Sequence, residues 1–143
     1  MYIKQISVFL ENTKGSLSRL TRLLSKNGVD LVALTIADTE QYGIMRCIVS
    51  DTELGVKIMK EAGYVARLTD VVGVSVPDQP GGLAAVLTLL NAADVAVEYL
   101  YSFVRTHGSH AMVIFRLSDN EKGLRVLKEG DIELLTQEEV RSL

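Results

Sequence analysis

Two short stretches hold the residue types best suited to gripping a small charged molecule. They are Asn12-Thr13-Lys14-Gly15-Ser16-Leu17 and Asp78-Gln79-Pro80-Gly81-Gly82-Leu83. Each follows an alternating apolar run and opens a leucine-spaced helix, with glycine at the handover. A helix N-terminus leaves backbone N–H groups unpaired and carries partial positive charge. Glycine there removes the side chain that would hold a ligand away, so a carboxylate could rest on the amides of Gly15, Ser16 and Leu17, or of Gly81, Gly82 and Leu83. An ammonium group would need an acceptor. Candidates are the Asn12 and Asp78 side chains, carbonyls along Val32, Ala33, Leu34 and Thr35, or carbonyls along Glu98, Tyr99, Leu100 and Tyr101. Asp78 offers a charge and Asn12 does not, so two unequal sites are expected. The same residues also fit a plainer reading, in which Asn12 and Asp78 cap helices and the glycines only make turns.

Other reactive side chains are sparse. His107 and His110 flank Gly108, but no nearby carboxylate or cysteine completes a metal site. Cys47 sits in an apolar strand, as a small buried hydrophobe would. Tyr99, Tyr101 and Phe103 alternate on one strand face and suit packing, with Tyr101 also placed to line a pocket. Glu98 points the other way, towards an ammonium group or towards solvent.

The elements that position these residues follow from periodicity. Ile6, Val8 and Leu10 alternate as in a strand. Leu17, Leu20, Leu23 and Leu24 then recur at helical spacing up to an Asn27-Gly28 cap. Strands are expected over Val29 to Ala37 and Gly43 to Ser50, joined by a turn from Asp38. In the second strand Val32, Leu34 and Ile36 should share one face, and Leu31, Ala33 and Thr35 the other. Asp51 or Thr52 caps the next helix, which ends at Ala62-Gly63, and Tyr64 to Leu68 makes a fourth strand.

The order βαββαβ then repeats. Val72, Val74 and Val76 match Ile6, Val8 and Leu10 at an offset of 66, as Leu83, Val86 and Leu90 match Leu17, Leu20 and Leu24. Strands over Val95 to Val104 and His110 to Leu117 follow. The Gly55–Glu61 helix then matches Gly123–Glu129 at an offset of 68. Asp131 to Leu135 closes the copy, and Thr136 with Glu139 marks a capping box for a terminal helix. A duplication of this length implies two domains, 1–69 and 70–143, joined by the short junction Thr69-Asp70. The expected fold is α+β, with two ferredoxin-like βαββαβ domains whose antiparallel sheets carry both helices on one face. The apolar open sheet face would need a partner, either the other copy or another chain.

Bulk properties narrow the function. Net charge is -3 with a pI near 5.4, and no Lys/Arg cluster offers a nucleic-acid footprint. The single cysteine excludes an internal disulfide framework. No run approaches the roughly 18 apolar residues that span a membrane, and no basic-then-apolar leader opens the chain. A soluble cytoplasmic protein without cofactor is expected.

Both copies resemble ACT domains, the small-molecule-binding modules of many amino-acid-metabolic enzymes. Asp78-Gln79-Pro80-Gly81-Gly82-Leu83 matches the family's Asp-x-Pro-Gly-x-Leu turn. Asn12-Thr13-Lys14-Gly15-Ser16-Leu17 matches it with Asn for Asp and Lys for Pro. The resemblance covers about the whole chain, with no catalytic domain. It implies that modules pair and that an amino acid binds between this turn and the second strand of a neighbouring module. The Asp78 turn would then face Val32 to Thr35, and the Asn12 turn Glu98 to Tyr101. The expected function is a non-catalytic amino-acid-binding regulatory protein, with a homodimer or a metabolic enzyme or regulator as partner. The alternative is an oligomerisation or partner-binding module with degenerate sites. Acylphosphatases share the element order, but their first turn needs an arginine to grip phosphate, and this one has only Lys14. The first and third strands also lack the aromatics flanked by basic residues that RNA-binding relatives of this fold use.

Overall fold

A computed structural model of the chain describes residues 1–38, 42–103 and 108–143. The strand expectation for Val104 and the readings of His107 lie outside them. The chain forms two compact units, Lys4–Thr69 and Met1–Ile3 with Asp70–Arg141.

The first unit contains β1 (Ile3–Glu11) from Lys4 onward, α1 (Ser16–Lys26), β2 (Leu31–Asp38), β3 (Tyr42–Val49), α2 (Thr52–Glu61) and the start of β4 (Ala66–Pro77). Its strands lie in the order β2-β3-β1-β4. Ile6, Val8 and Leu10 from β1 and Met45, Cys47 and Val49 from β3 turn to one face. There they pack against Leu20 and Leu24 of α1 and Ile58 and Met59 of α2. Full burial of a side chain this size stabilises by about 1.5–3 kcal/mol, so this shared face holds the two helices on the sheet.

The second unit takes the rest of β4, then α3 (Gly82–Ala92), β5 (Val97–Ser102), β6 (His110–Leu117), α4 (Asn120–Glu129), β7 (Leu134–Leu135) and α5 (Gln137–Arg141). Its antiparallel order is β5-β6-β4, with β7 also paired to β4. Val72, Val74 and Val76 meet Val86, Leu90 and Leu127 as the equivalent residues do in the first unit. These are two βαββαβ-like units with antiparallel sheets and helices on one face.

Four local expectations are corrected. The strand expected over Tyr64 to Leu68 starts at Ala66 and continues through Pro77, so it and the next strand are one element containing the Thr69-Asp70 junction. β2 starts at Leu31, not Val29, and its strict alternation fails. A bulge between Leu31 and Ala33 puts Leu31 and Leu34, expected on opposite faces, against the same core. Finally, Leu17 and Leu83, expected on the buried helix faces, are 39% and 37% exposed, and the buried rows are Ser16, Leu20, Leu24 and Gly82, Val86, Leu90.

Helix ends show the duplication in altered chemistry. Gly28 and Gly63 reverse the chain at positive φ in the first unit. Asp94 and Asp131, both at φ 57, do so in the second. Aspartate is among the few residues besides glycine that adopt this conformation with little strain.

Candidate ligand-binding turns

The two helix-opening turns have nearly the same backbone. Gly15 takes φ 88 and ψ -8 before α1, and Gly81 takes φ 87 and ψ -9 before α3. That left-handed conformation favours glycine, so both positions require it for the turn itself. The carbonyls of Gly15 and Gly81 accept from the amides of Arg19 and Ala85 at 2.9 and 3.0 Å, which starts each helix. Ser16 and Gly82 donate back into the turn, to the carbonyls of Thr13 and Gln79. The next two amides, Leu17 and Ser18 or Leu83 and Ala84, donate to no group among the described residues.

Neither Asn12 nor Asp78 caps its helix. The N-cap residue is glycine in both turns and no side chain bonds to it, which corrects the plainer reading of those two residues. Both side chains are exposed. In contrast, Asp51 and Asp119 do cap, accepting from Leu54 N at 3.0 Å and Lys122 N at 2.9 Å. The amides of α1 and α3 are thus left open where those of α2 and α4 are closed.

The first unit adds a cavity of about 180 Å³ beside its turn. Asn12, Thr13, Ser16 and Leu17 form one side, and Ile36, Asp38 and Gly43 form the other. Strand register explains this meeting. Asp38 pairs with Gly43, and Gly43 pairs with Leu10, so β2, β3 and β1 bring Asp38 to the end of β1 where the turn departs. From sequence alone Asp38 falls in a hairpin turn; its approach to the Asn12 turn follows only from the pairing of β2 with β3 and of β3 with β1. Within this unit the residues of β2 beside the turn are Ile36 and Asp38, while Val32 and Ala33 are buried and Leu34 and Thr35 half-buried.

In the second unit, Asp78 donates its amide to the Ser109 carbonyl at 2.9 Å, which ties the turn to the start of β6. Glu98 occupies the bulge between Val97 and Tyr99. Its carboxylate lies 3.4 Å from Arg116 Nε, so it is neither simply solvated nor an unengaged acceptor. Arg116 and Asn120 both donate to the Asp70 carbonyl, at 3.0 and 2.8 Å, fixing this group as a structural network. Tyr101 is buried, Tyr99 half-buried and Leu100 exposed.

His110 opens β6 with Nδ1 3.3 Å from Ser109 Oγ. Among the described residues no cluster of three His, Cys, Asp or Glu side chains could hold a metal, and no helix is long and apolar enough to cross a membrane. Cys47 is fully buried, and burial pushes its thiol up to about 12.

Comparison with known proteins bears on the family and the fold. The family model for an ACT domain pair matches residues 1–143. Among solved structures, protein BT0572 from Bacteroides thetaiotaomicron is 41% identical, covers 100% of this chain and 98% of its own, and superposes with a TM-score of 0.94. The ligand-free regulatory subunit of aspartate kinase from Thermus thermophilus is 16% identical with a TM-score of 0.61, over 90% of this chain and 92% of its own. The corresponding subunit from Thermus flavus is 13% identical with a TM-score of 0.59, over 88% and 90%. At those identities the two Thermus proteins show a shared fold. No curated protein matches the chain. With its duplicated glycine turns, its two βαββαβ units and a family match over its whole length, the chain belongs to the family of ACT domain pairs.

Proposed function

We propose that this chain is a non-catalytic regulatory protein that binds a free amino acid at its helix-opening turns. The carrying observation is the pair of glycine N-caps, each leaving two helix amides unclaimed. Such amides suit a carboxylate. In the first unit, Asn12 and Asp38 line the cavity beside them and offer acceptors for an ammonium group. In the second, Asp78 is the corresponding acceptor. The fold is shared with proteins named as regulatory subunits of aspartate kinase. We carry over their regulatory role, with a metabolic enzyme or regulator as partner, and take the modules as 1–69 and 70–143.

A ligand that binds only the folded state stabilises it by RT ln(1 + [L]/Kd), about 2.7 kcal/mol at a hundredfold excess. Thermal melts against a panel of free amino acids should therefore show at least one clear rise. Asp78→Ala or Asp38→Ala should reduce it. Flat melts with every amino acid at millimolar concentration, or undiminished rises in both variants, would remove the basis for this reading.

A further inference from the structure

The first unit carries an exposed band on the sheet face turned away from its helices, and the proposed function makes no use of it. β1 and β3 pair Phe9 with Ile44, Glu11 with Tyr42 and Ser7 with Arg46. The alternate residues Val8, Leu10, Met45 and Cys47 enter the helix-covered core, so these three pairs lie on the opposite face. On the other side of β1, the Val65 carbonyl accepts from Phe9 N at 3.1 Å, and Thr69 Oγ1 lies 3.3 Å from Ser7 Oγ. Ala66 belongs to the core, which turns Val65 and Arg67 to the same open face. Phe9, Tyr42 and Val65 are 48%, 55% and 55% exposed. Large apolar side chains gathered in the open in this way mark an interaction surface.

The band is polarised along β1. Glu11 stands at one end with Tyr42 opposite it, and Phe9, Ile44 and Val65 fill the middle. Arg46, opposite Ser7, and Arg67 stand at the other end. Among the described residues neither Glu11 nor Arg67 has an ion-pair partner in its own chain. The duplication supplies an internal control. By strand register, the residues equivalent to Phe9, Arg46, Val65 and Arg67 are Ser75, Ile114, Glu133 and Leu135. Both arginines are replaced by buried apolar residues, and the exposed valine by an exposed glutamate. The second module repeats the fold without the band, so the fold itself does not require it.

We propose that this band is a two-fold interface with a second copy of the chain, made by the first module alone. A two-fold axis crossing β1 at the Phe9 row lays apolar middle on apolar middle. It also brings Glu11 of each copy over the arginine end of the other. Stacking in the opposite sense would set Glu11 on Glu11 and arginine on arginine, which like-charge repulsion disfavours. The charges thus select a second copy and its direction, while Phe9, Tyr42 and Val65 supply the buried surface. The interface uses neither the open helix amides nor Asp38, so it stands or falls apart from the function proposed above.

The test is analytical ultracentrifugation of the full chain from micromolar to millimolar concentration, without added ligand. The mass should rise from the 15.7 kDa of one chain to twice that value. Phe9→Asp and Val65→Asp, each with the parent circular dichroism spectrum, should weaken the dimer at least about thirtyfold, because each change enters a two-fold interface twice. Glu11→Arg and Arg67→Glu should each weaken it about tenfold, and the two together should return it to within about threefold of the parent. A chain that stays monomeric at millimolar concentration overturns the proposal, as does a dimer that Phe9→Asp and Val65→Asp leave intact. A double charge swap that fails to recover also overturns it. So does a mass that grows past two chains, since a two-fold contact closes on itself.

Discussion

Gly82→Ala should damage the second module although alanine is the better helix former. Gly82 is the first residue of α3 and is buried against the end of β4. A Cβ there would stand well inside contact distance of the Pro77 carbonyl oxygen, 3.2 Å from its carbon and 3.3 Å from Val76 Cγ1. The obstacle is backbone, so no rotamer change relieves it. The same carbonyl accepts from Gln79 N at 2.9 Å, and Pro77 is registered against His110 in the sheet. Moving it strains both. Overpacking of this kind costs about 1–3 kcal/mol, and weakening the Gln79 bond adds about 1 kcal/mol. Alanine's helix preference returns at most about 1 kcal/mol. The net loss is roughly 2 kcal/mol, or a fall of about 8–16 °C for a module of this size. Far-UV circular dichroism melts of the full chain would read it, with amide exchange in α3 localising it. The equivalent position in the first module is Ser16, whose side chain is accommodated and bonded to Thr13. Ser16→Ala should therefore cost far less. A Gly82→Ala chain that melts at or above the parent temperature would refute the argument that the turn is closed on β4.

Two further outcomes follow from groups buried or bonded elsewhere. Burial raises the Cys47 thiol from 9.0 to about 12, so the folded state favours the neutral thiol; this stabilisation is complete below about pH 9 and is lost as pH rises towards 12. At pH 8 the native chain should react with a thiol reagent roughly a thousandfold more slowly than a free thiol, and fast native labelling would contradict the buried placement. At α5, Glu139 accepts from Thr136 N at 2.7 Å and Thr136 Oγ1 at 2.9 Å, while Glu139 N donates to Thr136 Oγ1 at 3.2 Å. The Thr136 backbone bond, then its hydroxyl, lowers the Glu139 carboxyl below its ordinary range. The capping contribution is therefore present above that range and lost as pH falls through the lowered value. Thr136→Ala keeps the backbone N–H and removes the hydroxyl, so it should cost about 1 kcal/mol and move the Glu139 titration, followed by carboxyl NMR, only part of the way back to normal; an unchanged midpoint would sink this.

The paired turns have diverged in a way that matters for recognition. The second keeps Asp78, Pro80 and Gly82, and Gly82 lets helix and strand approach closely. The first has Asn12 and Lys14 in place of Asp and Pro, but adds Ser16 and Arg19. Its polar equipment is richer even though its turn departs further from the family pattern. The inequality between the turns is thus one of chemistry, on almost identical backbones.

Much of this protein is written locally. Alternating valines, helical leucine spacing and the offsets of 66 and 68 are periodic patterns, and the fold follows from them because burial enforces period. Gly15 and Gly81 were legible as the turn residues because a left-handed residue strongly prefers glycine. What tertiary structure decided lies across strands or depends on how a helix is rotated against its sheet. The rotation at which α1 and α3 pack leaves Leu17 and Leu83 at the surface and puts Ser16 and Gly82 inside. A bulge at Val32 shifted the faces of β2, and another at Glu98 accompanies its pairing with Arg116. Asp38 comes to the Asn12 turn only through pairing across β3. Local patterns specify which elements form; the register and helix phase set by packing determine which side chains meet.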